Sequence, residues 1–272
     1  MIWKFKYGHP FETEAVTEHI TETEEAPPLR TVSLQEGFRW RYELAKDDIV
    51  YGLGEAVRGI NKRGHRYISH ASDDPHHMES TQSLYGAHNF IVIAGEHNFG
   101  LFVDDPAKVT FDIGSTSSDI LEISCQQPDL YFYMIDGETP YAVVKQFRKI
   151  IGRSYIPPKF AFGFGQSRWG YRTKEDFRRV ADGYRSNHIP IDMLYMDIDY
   201  MQDFKDFTVN GGEFEDFPGF VKEMKERNIR LIPIIDAGVK VEKGYPVYEE
   251  GVKNGYFCKR ADGSDFVAAV WP

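Results

Sequence analysis

The first half of the chain alternates between apolar and polar positions with a period of two. Phe38-Arg39-Trp40-Arg41-Tyr42 shows this pattern, which is typical of a strand with one buried face. Similar short runs, separated by turn residues, follow at 49–53, 88–94, 100–103, 108–113, 120–124 and 130–134. Many short strands at this spacing predict an antiparallel β-sandwich. Residues 12–25, rich in Glu and Thr, are expected to form an exposed strand or loop.

The period changes after residue 138. Thr139-Pro140 opens a predicted helix that runs to 151, since proline is favoured at an early helical position. Pro157-Pro158 marks a boundary, because paired prolines neither continue a helix nor pair in a central strand. Strands are then predicted at 160–164, 192–198 and 230–235, helices at 173–185, 217–226 and about 247–253, and one or two more strands up to 270. This order predicts parallel βαβ units.

These patterns predict two domains, a β-sandwich with a closing helix at 1–152 and about three βα units at 153–272. A complete (β/α)8 barrel needs about 250 residues. The second domain is therefore either a small open sheet or the first part of a larger barrel, and we favour the barrel. The expected fold class is α+β multidomain: an antiparallel sandwich, then the first strands and helices of a TIM barrel. Its open edge is expected to favour a homo-oligomer.

Composition narrows the classes of partner and location. The 272 residues include 32 Lys and Arg against 42 Asp and Glu, for a net charge of −10, which disfavours nucleic acid and anionic membranes as partners. Cys125 and Cys258 lie far apart, so they predict neither a disulfide framework nor a thiolate zinc site. No apolar run is long enough for a signal peptide or a membrane span. We therefore expect a cytoplasmic protein.

Candidate chemistry follows the C-terminal ends of the predicted parallel strands, where α/β proteins place functional groups. Trp169 follows the first strand, Asp197 the second and Asp236 the third. Carboxylates there can hydrogen-bond sugar hydroxyls or act as acid and nucleophile, and an indole packs on the apolar face of a pyranose ring. Alternatively, the aspartates only cap loops, since Asp is common after strands. Position alone does not separate the two interpretations.

Other motifs point away from metals and cofactors. The cluster of Asp73, Asp74, His76 and His77 lacks regular ligand spacing, so we interpret it as a surface or site-rim loop. The sequence holds no P-loop, no G-x-G-x-x-G after a strand and no G-x-S-x-G elbow. We expect neither a metal nor a cofactor.

Seven short stretches, at 51–55, 157–163, 167–171, 196–201, 206–208, 232–236 and 270–272, resemble glycoside hydrolase family 31 in sequence and order. Among its members, the bacterial α-glucosidases are the most similar. The resemblance implies an N-terminal β-sandwich before a catalytic (β/α)8 barrel. It also implies a retaining α-glucosidase that releases terminal non-reducing α-linked glucose from oligosaccharides, with an α-glucoside oligosaccharide as its substrate.

The resemblance implies substrate-binding roles for particular residues. A sandwich loop would contribute Asp73, and Asp197 would bind sugar hydroxyls with Ile198 beside it. The pocket for the non-reducing-end sugar would be lined by Trp169, Ile234, Asp236 and Trp271. The family's nucleophile lies in a Trp-x-Asp-Met-Asn-Glu-like stretch that this sequence lacks, which implies that nucleophile and acid/base both lie beyond Pro272. Asp236-Ala237 departs from the family's usual Asp-Pro.

Several alternatives remain open. Within the family, these are an α-xylosidase or an α-glucosyltransferase, although Asp197-Ile198 and Arg168-Trp169 favour glucosides. Outside the enzyme class, the alternatives are a non-catalytic carbohydrate-binding protein and a remnant without function. We expect the 272-residue chain alone to be inactive, because positioning groups without a nucleophile and acid lack the main catalytic devices.

Overall fold

The computed structural model describes residues 1–24 and 37–269. They fall into two compact units, Met1–Ser154 and Tyr155–Pro272. Within the described ranges, no helix is both long enough and apolar enough to cross a membrane.

Nine strands are described in the first unit: β1 (Ile2–Tyr7), β2 (Phe38–Glu43), β3 (Ile49–Gly52), β4 (His65–Ser69), β5 (Phe90–Ala94), β6 (Phe99–Asp104), β7 (Val109–Ile113), β8 (Ile120–Cys125) and β9 (Leu130–Asp136). They form a five-stranded sheet, β1-β9-β6-β5-β3, and a four-stranded sheet, β2-β8-β7-β4. Every pairing in both sheets is antiparallel. The predicted sandwich is confirmed, but the sequence analysis missed the edge strands β1 and β4.

The core of the first unit lies between the two sheets. Phe132 on β9 packs against Phe38 and Trp40 of the opposite sheet, with both ring centroids 5.5 Å away. The outer face of the five-stranded sheet is covered by helix α1 (Pro140–Ile150), whose Val143 and Ile150 are fully buried. Strand β9 shows why both faces of this sheet are covered: its residues from Leu130 to Ile135 are apolar or aromatic without alternation, and all are buried. A strand of this kind is stable only when both of its faces are packed.

The second unit contains a parallel sheet in the order β10 (Gly165–Gln166), β11 (Met193–Met196) and β12 (Arg230–Pro233). Its helices are α2 (Lys174–Ser186), α3 (Phe217–Glu226) and α4 (Pro246–Asn254). Leu194 and Met196 on β11 pack in one cluster with Phe177 of α2 and Phe220 of α3. Sequential parallel strands with helices between them are the arrangement of successive barrel units.

Two strand predictions in the second unit are wrong. Residues 160–164 do not form a strand, because Ala161 N–H donates to the Pro158 carbonyl and Gly163 N–H to the Phe160 carbonyl, which closes the 3₁₀ helix Lys159–Phe162. Pairing begins instead at Phe164, whose carbonyl accepts from Asp192 and Met193. After α4, the described residues hold one isolated bridge, between Lys259 and Asp265, in place of the predicted strands.

Candidate functional site

Two carboxylates lie at the C-terminal edge of the parallel sheet. Asp197 directly follows β11, and Asp236 lies in the loop after β12. The two strands are neighbours, with Met196 opposite Pro233 in the register. The fold therefore brings together the two aspartates that the strand-end rule singled out.

Asp197 has a local structural role. It begins a 3₁₀ turn, Ile198–Tyr200, and its Oδ1 accepts from the backbone N–H of Ile198 at 2.7 Å. The loop-capping interpretation is thus correct for one carboxylate oxygen. The same bond fixes the orientation of the group, which is what a hydroxyl-binding carboxylate requires.

Asp236 sits on a strained turn. Its φ of 43° lies in the left-handed region, which Asp tolerates better than most residues, and Gly238 N–H donates to its carbonyl at 2.5 Å. Desolvation, and then the negative charge of Asp197, raise the pKa of the Asp236 carboxyl. The charge of Asp197 therefore acts on the Asp236 carboxyl across the two strand ends.

The three apolar residues predicted to bind substrate with the aspartates, and described by the structure, differ in exposure. Trp169, in the loop after β10, is 65% exposed, and Ile234 is 38% exposed. Ile198, by contrast, is buried. Ile234 is held at the strand ends, because its N–H donates to the Met196 carbonyl and its carbonyl accepts from the Tyr200 hydroxyl at 2.8 Å. Of these residues, Ile234 is therefore fixed at the same strand ends as the aspartates, and Trp169 offers an exposed indole in the loop after β10. Trp271 lies outside the described residues.

Asp206 is a third carboxyl that the sequence analysis gave no role. It is only 2% exposed, and its Oδ2 has no hydrogen-bond partner within the part of the chain that the structure describes. Desolvation first, and the charge of Asp236 second, raise its pKa. Its carbonyl accepts from the Tyr245 hydroxyl at 2.6 Å. The sequence signal was its place in the stretch 206–208, which resembled the family without indicating a role.

Asp73 lies on an exposed loop of the first unit, between β4 and β5. The Tyr85 hydroxyl donates to its Oδ1. Neighbouring Asp74 is engaged locally, since its Oδ1 accepts from His76 N–H at 2.9 Å. Within the described ranges, no group of His, Cys, Asp or Glu is arranged to hold a metal ion.

Comparison with known families assigns both halves of the chain. A family model described as the glycosyl hydrolases family 31 TIM-barrel domain matches residues 154–272. A second, the glycosyl hydrolase 31 N-terminal galactose mutarotase-like domain, matches residues 6–112. The two occur in the order in which the sandwich and the parallel units follow each other.

Two curated relatives, both α-glucosidases, are much longer than this chain. Alpha-glucosidase 2 of Bacillus thermoamyloliquefaciens is 35% identical over 228 residues, which cover 83% of this chain and 29% of the relative. The alpha-glucosidase of Saccharolobus solfataricus is 26% identical over 276 residues, covering 100% of this chain and 40% of the relative. The chain thus spans 29% of the length of the first relative and 40% of the second.

Solved structures agree on the fold. A family 31 dextranase of Flavobacterium johnsoniae, as a mutant complexed with isomaltotriose, superposes with a TM-score of 0.77 at 24% identity, covering 89% of this chain and 29% of that one. A chain from the heterodimeric complex of ER glucosidase II, which consists of the catalytic subunit and the binding domain of the regulatory subunit, superposes with a TM-score of 0.71 at 23% identity, covering 85% of this chain and 28% of that one. Two domain models of one family match the chain in the order of its two units, and the fold agrees with them. The chain therefore belongs to glycoside hydrolase family 31.

Proposed function

We propose that this chain forms the part of a retaining α-glucosidase that binds the terminal non-reducing glucose of an α-linked oligosaccharide. The observation that carries the proposal is that Asp197 and Asp236 follow adjacent parallel strands, so that the charge of Asp197 acts on the Asp236 carboxyl. A carboxylate has two acceptor oxygens for sugar hydroxyls. Trp169 and Ile234, exposed on the same unit, offer apolar surface to the C–H face of the ring.

We assign these aspartates to binding rather than to covalent chemistry. A retaining mechanism needs a nucleophilic carboxylate and a separate acid/base. The proposal places both after residue 272, in a part of the protein that corresponds to the unmatched length of the two relatives. Asp73, on its loop of the first unit, would contribute a further hydroxyl contact. The substrate class is that of the relatives, α-glucosides.

Three other functions are alternatives to this proposal. Activity on α-xylosides, or transfer of glucose, would change the specificity of the same pocket. A non-catalytic carbohydrate-binding protein would use the aspartates and the indole without cleavage. The neighbouring pair Asp197-Ile198 and the exposed Trp169 are the features that favour glucose binding.

The test is release of glucose from an aryl α-glucoside. The 272-residue chain is assayed beside a longer chain that continues past Pro272, and we expect activity in the longer chain alone. In that chain, Asp197→Asn and Asp236→Asn should each lower kcat/KM by about 10- to 100-fold, the loss expected for one charged hydrogen bond to substrate. The matched control is Asp182→Asn, a 70% exposed side chain on α2 paired with Arg227, which should change nothing.

Each alternative gives a different result. Activity in the short chain, abolished by either strand-end substitution, would show that an aspartate here does the covalent or acid/base work. A longer chain that binds glucose oligosaccharides without cleaving them would identify a binding protein. Faster release from an aryl α-xyloside than from the glucoside would move the specificity to xylose.

A further inference from the structure

The loop that carries Asp73 has an outgoing limb, residues 68–73, and a returning limb, residues 79–85. Backbone hydrogen bonds join the two limbs. Ile68 N–H donates to the Gln82 carbonyl and Ser72 N–H to the Leu84 carbonyl, both at 2.9 Å. Directly beyond these pairs, the Tyr85 hydroxyl donates to Asp73 Oδ1. This bond raises the pKa of the Tyr85 hydroxyl. The position of the Asp73 carboxylate therefore depends on how firmly the returning limb is held.

One side chain ties the returning limb to the sheet. The guanidinium of Arg58 donates through Nε to the Glu79 carbonyl at 2.5 Å and through Nη2 to the Ser80 carbonyl at 2.7 Å. Its third nitrogen, Nη1, donates to the Arg66 carbonyl on β4 at 3.1 Å. The group also lies 5.3 Å from the centre of the Tyr67 ring, which is 2% exposed.

The end of the returning limb is bound by a residue close to Arg58 in sequence. Gly86 N–H donates at 3.0 Å to Oε2 of Glu55, which lies three residues before Arg58. Arg58 itself adopts a φ of 73°, an uncommon conformation for a residue with a side chain. Strain of this kind persists where the surroundings over-determine it, and here three charge-assisted bonds to carbonyls do so.

We propose that Arg58 is a positioning residue for Asp73, fixing the loop so that the carboxylate is in place before the oligosaccharide arrives. The inference rests on the proposed function, in which Asp73 contacts substrate. A loop that is ordered in advance does not lose conformational entropy on binding, so affinity is gained without a new contact. The planar fork of arginine reaches three carbonyls in fixed directions, which the single ammonium of lysine does not reproduce.

The first unit contains a matched control for this bonding pattern. Arg63 also donates to main-chain carbonyls, those of Ala45 at 2.6 Å, Lys46 and Asp48 at 3.1 Å and Ser118 at 3.2 Å. None of these carbonyls belongs to the Asp73 loop. Arg63→Gln therefore removes a comparable set of bonds from the same unit at a different place.

The experiment measures KM and kcat in the longer chain for Arg58→Gln, Asp73→Asn, the double variant and Arg63→Gln. We expect Arg58→Gln and Asp73→Asn each to raise KM by about tenfold with a smaller change in kcat. The double variant should be no worse than Asp73→Asn alone, since Arg58 acts through Asp73. Arg63→Gln should leave KM unchanged. In the 272-residue chain, amide exchange at Ser72 should quicken in Arg58→Gln and not in Arg63→Gln.

The outcomes separate this inference from the proposed function. If Asp73→Asn raises KM while Arg58→Gln leaves it unchanged, or adds its full effect in the double variant, the positioning role is wrong and the proposed function stands. If Asp73→Asn leaves KM unchanged, the substrate contact at Asp73 is wrong and the inference falls with it. If Arg58→Gln does not fold, Arg58→Lys replaces it, and unchanged exchange at Ser72 in that variant would overturn the positioning role.

Discussion

The two units differ in how completely their sheets are packed. In the sandwich, the five-stranded sheet is covered on one face by the second sheet and on the other by α1, and Phe132 and Ile135 on the two faces of β9 are fully buried. In the second unit, Leu194 and Met196 are fully buried beneath the helices, whereas Tyr195 on the other face of β11 is 37% exposed. A closed barrel fills that inner face with side chains from eight strands.

This difference means that the residues that stabilise the chain and the candidate functional residues lie in different places. The first unit buries its strands on its own, and its candidate functional group, Asp73, lies on a loop outside the core. The second unit places Asp197, Asp236 and Trp169 at the sheet edge. Within the described residues, the candidate chemistry therefore lies where packing is least complete. This is the arrangement expected when binding groups are supported by a packed layer beneath them.

The largest expected effect comes from emptying either core. Phe132→Ala should cost about 3–5 kcal/mol in the sandwich and Phe177→Ala a similar amount in the second unit, because both side chains are fully buried. If the units are independent, each substitution destabilises its own unit. Urea unfolding monitored by amide exchange resolves the two.

The control for these cavities is Phe11→Ala. This side chain is 65% exposed, so its removal should change the free energy of unfolding by less than about 0.5 kcal/mol. Equal destabilisation of both units by Phe132→Ala alone would contradict independence and show a single cooperative structure.

Helix caps give a smaller contrast between the units. Thr173 begins α2 with a reciprocal capping box: its Oγ1 accepts from Asp176 N–H at 3.2 Å, and Asp176 Oδ2 accepts from Thr173 N–H at 3.1 Å. Thr139 begins α1 with a single bond from Ala142 N–H at 3.1 Å. The Thr173 hydroxyl also donates to Asp176 Oδ2 at 3.1 Å, so Thr173→Ala removes two side-chain hydrogen bonds and should cost about 1–2 kcal/mol. Thr139→Ala removes one and should cost about 0.5–1 kcal/mol.

Thermal unfolding of the two alanine variants, each beside its Thr→Ser counterpart, measures this contrast. Serine retains the hydroxyl acceptor, so both serine variants should stay close to the parent chain. A larger loss for Thr139→Ala than for Thr173→Ala would mean that packing of α1 on its sheet, rather than the number of capping bonds, sets the cost.

The elements that local chemistry determines were predictable from the sequence. The bounds of α3, Phe217–Glu226, agree with the prediction, and those of α2, Lys174–Ser186, differ by one residue at each end from the predicted 173–185. The predicted strand at 160–164 failed because alternating phenylalanines have the strand period, whereas the chain after Pro158 closes i to i+3 bonds instead. Edge strands β1 and β4 each pair with one neighbour, and pairing is not encoded in a local pattern.

The candidate site shows the same limit. The strand-end rule found Asp197 and Asp236, because parallel strands bring their C-terminal ends to one edge. It could not find Arg58, whose carbonyl partners Glu79 and Ser80 lie 21 and 22 residues away. Nor could it find the burial of Asp206, which depends on packing around the whole loop after β11. Long-range contacts of this kind have no periodic signature.

The last contrast concerns the sign of a pH dependence. Desolvation and the charge of Asp236 raise the pKa of Asp206 in the folded chain. In the unfolded chain, the pKa of an aspartate carboxyl is about 3.9. Between these pKa values the folded state binds more protons than the unfolded state, so the contribution of Asp206 to stability falls as pH rises. Asp206→Asn should remove that fall, and its Tm relative to the parent chain should increase from pH 3 to pH 7.

Asp112 in the sandwich should behave in the opposite way. Desolvation opposes the change, but hydrogen bonds from Thr116 and Ser115 lower the pKa of its carboxyl overall. A lowered folded pKa contributes stability that is present above the unfolded pKa and lost as pH falls through the folded one. The Tm of Asp112→Asn relative to the parent should therefore decrease from pH 3 to pH 7. Curves of the same sign for both variants would show that one of the two carboxyls is charged differently from this assignment, and the Asp206→Asn curve identifies which.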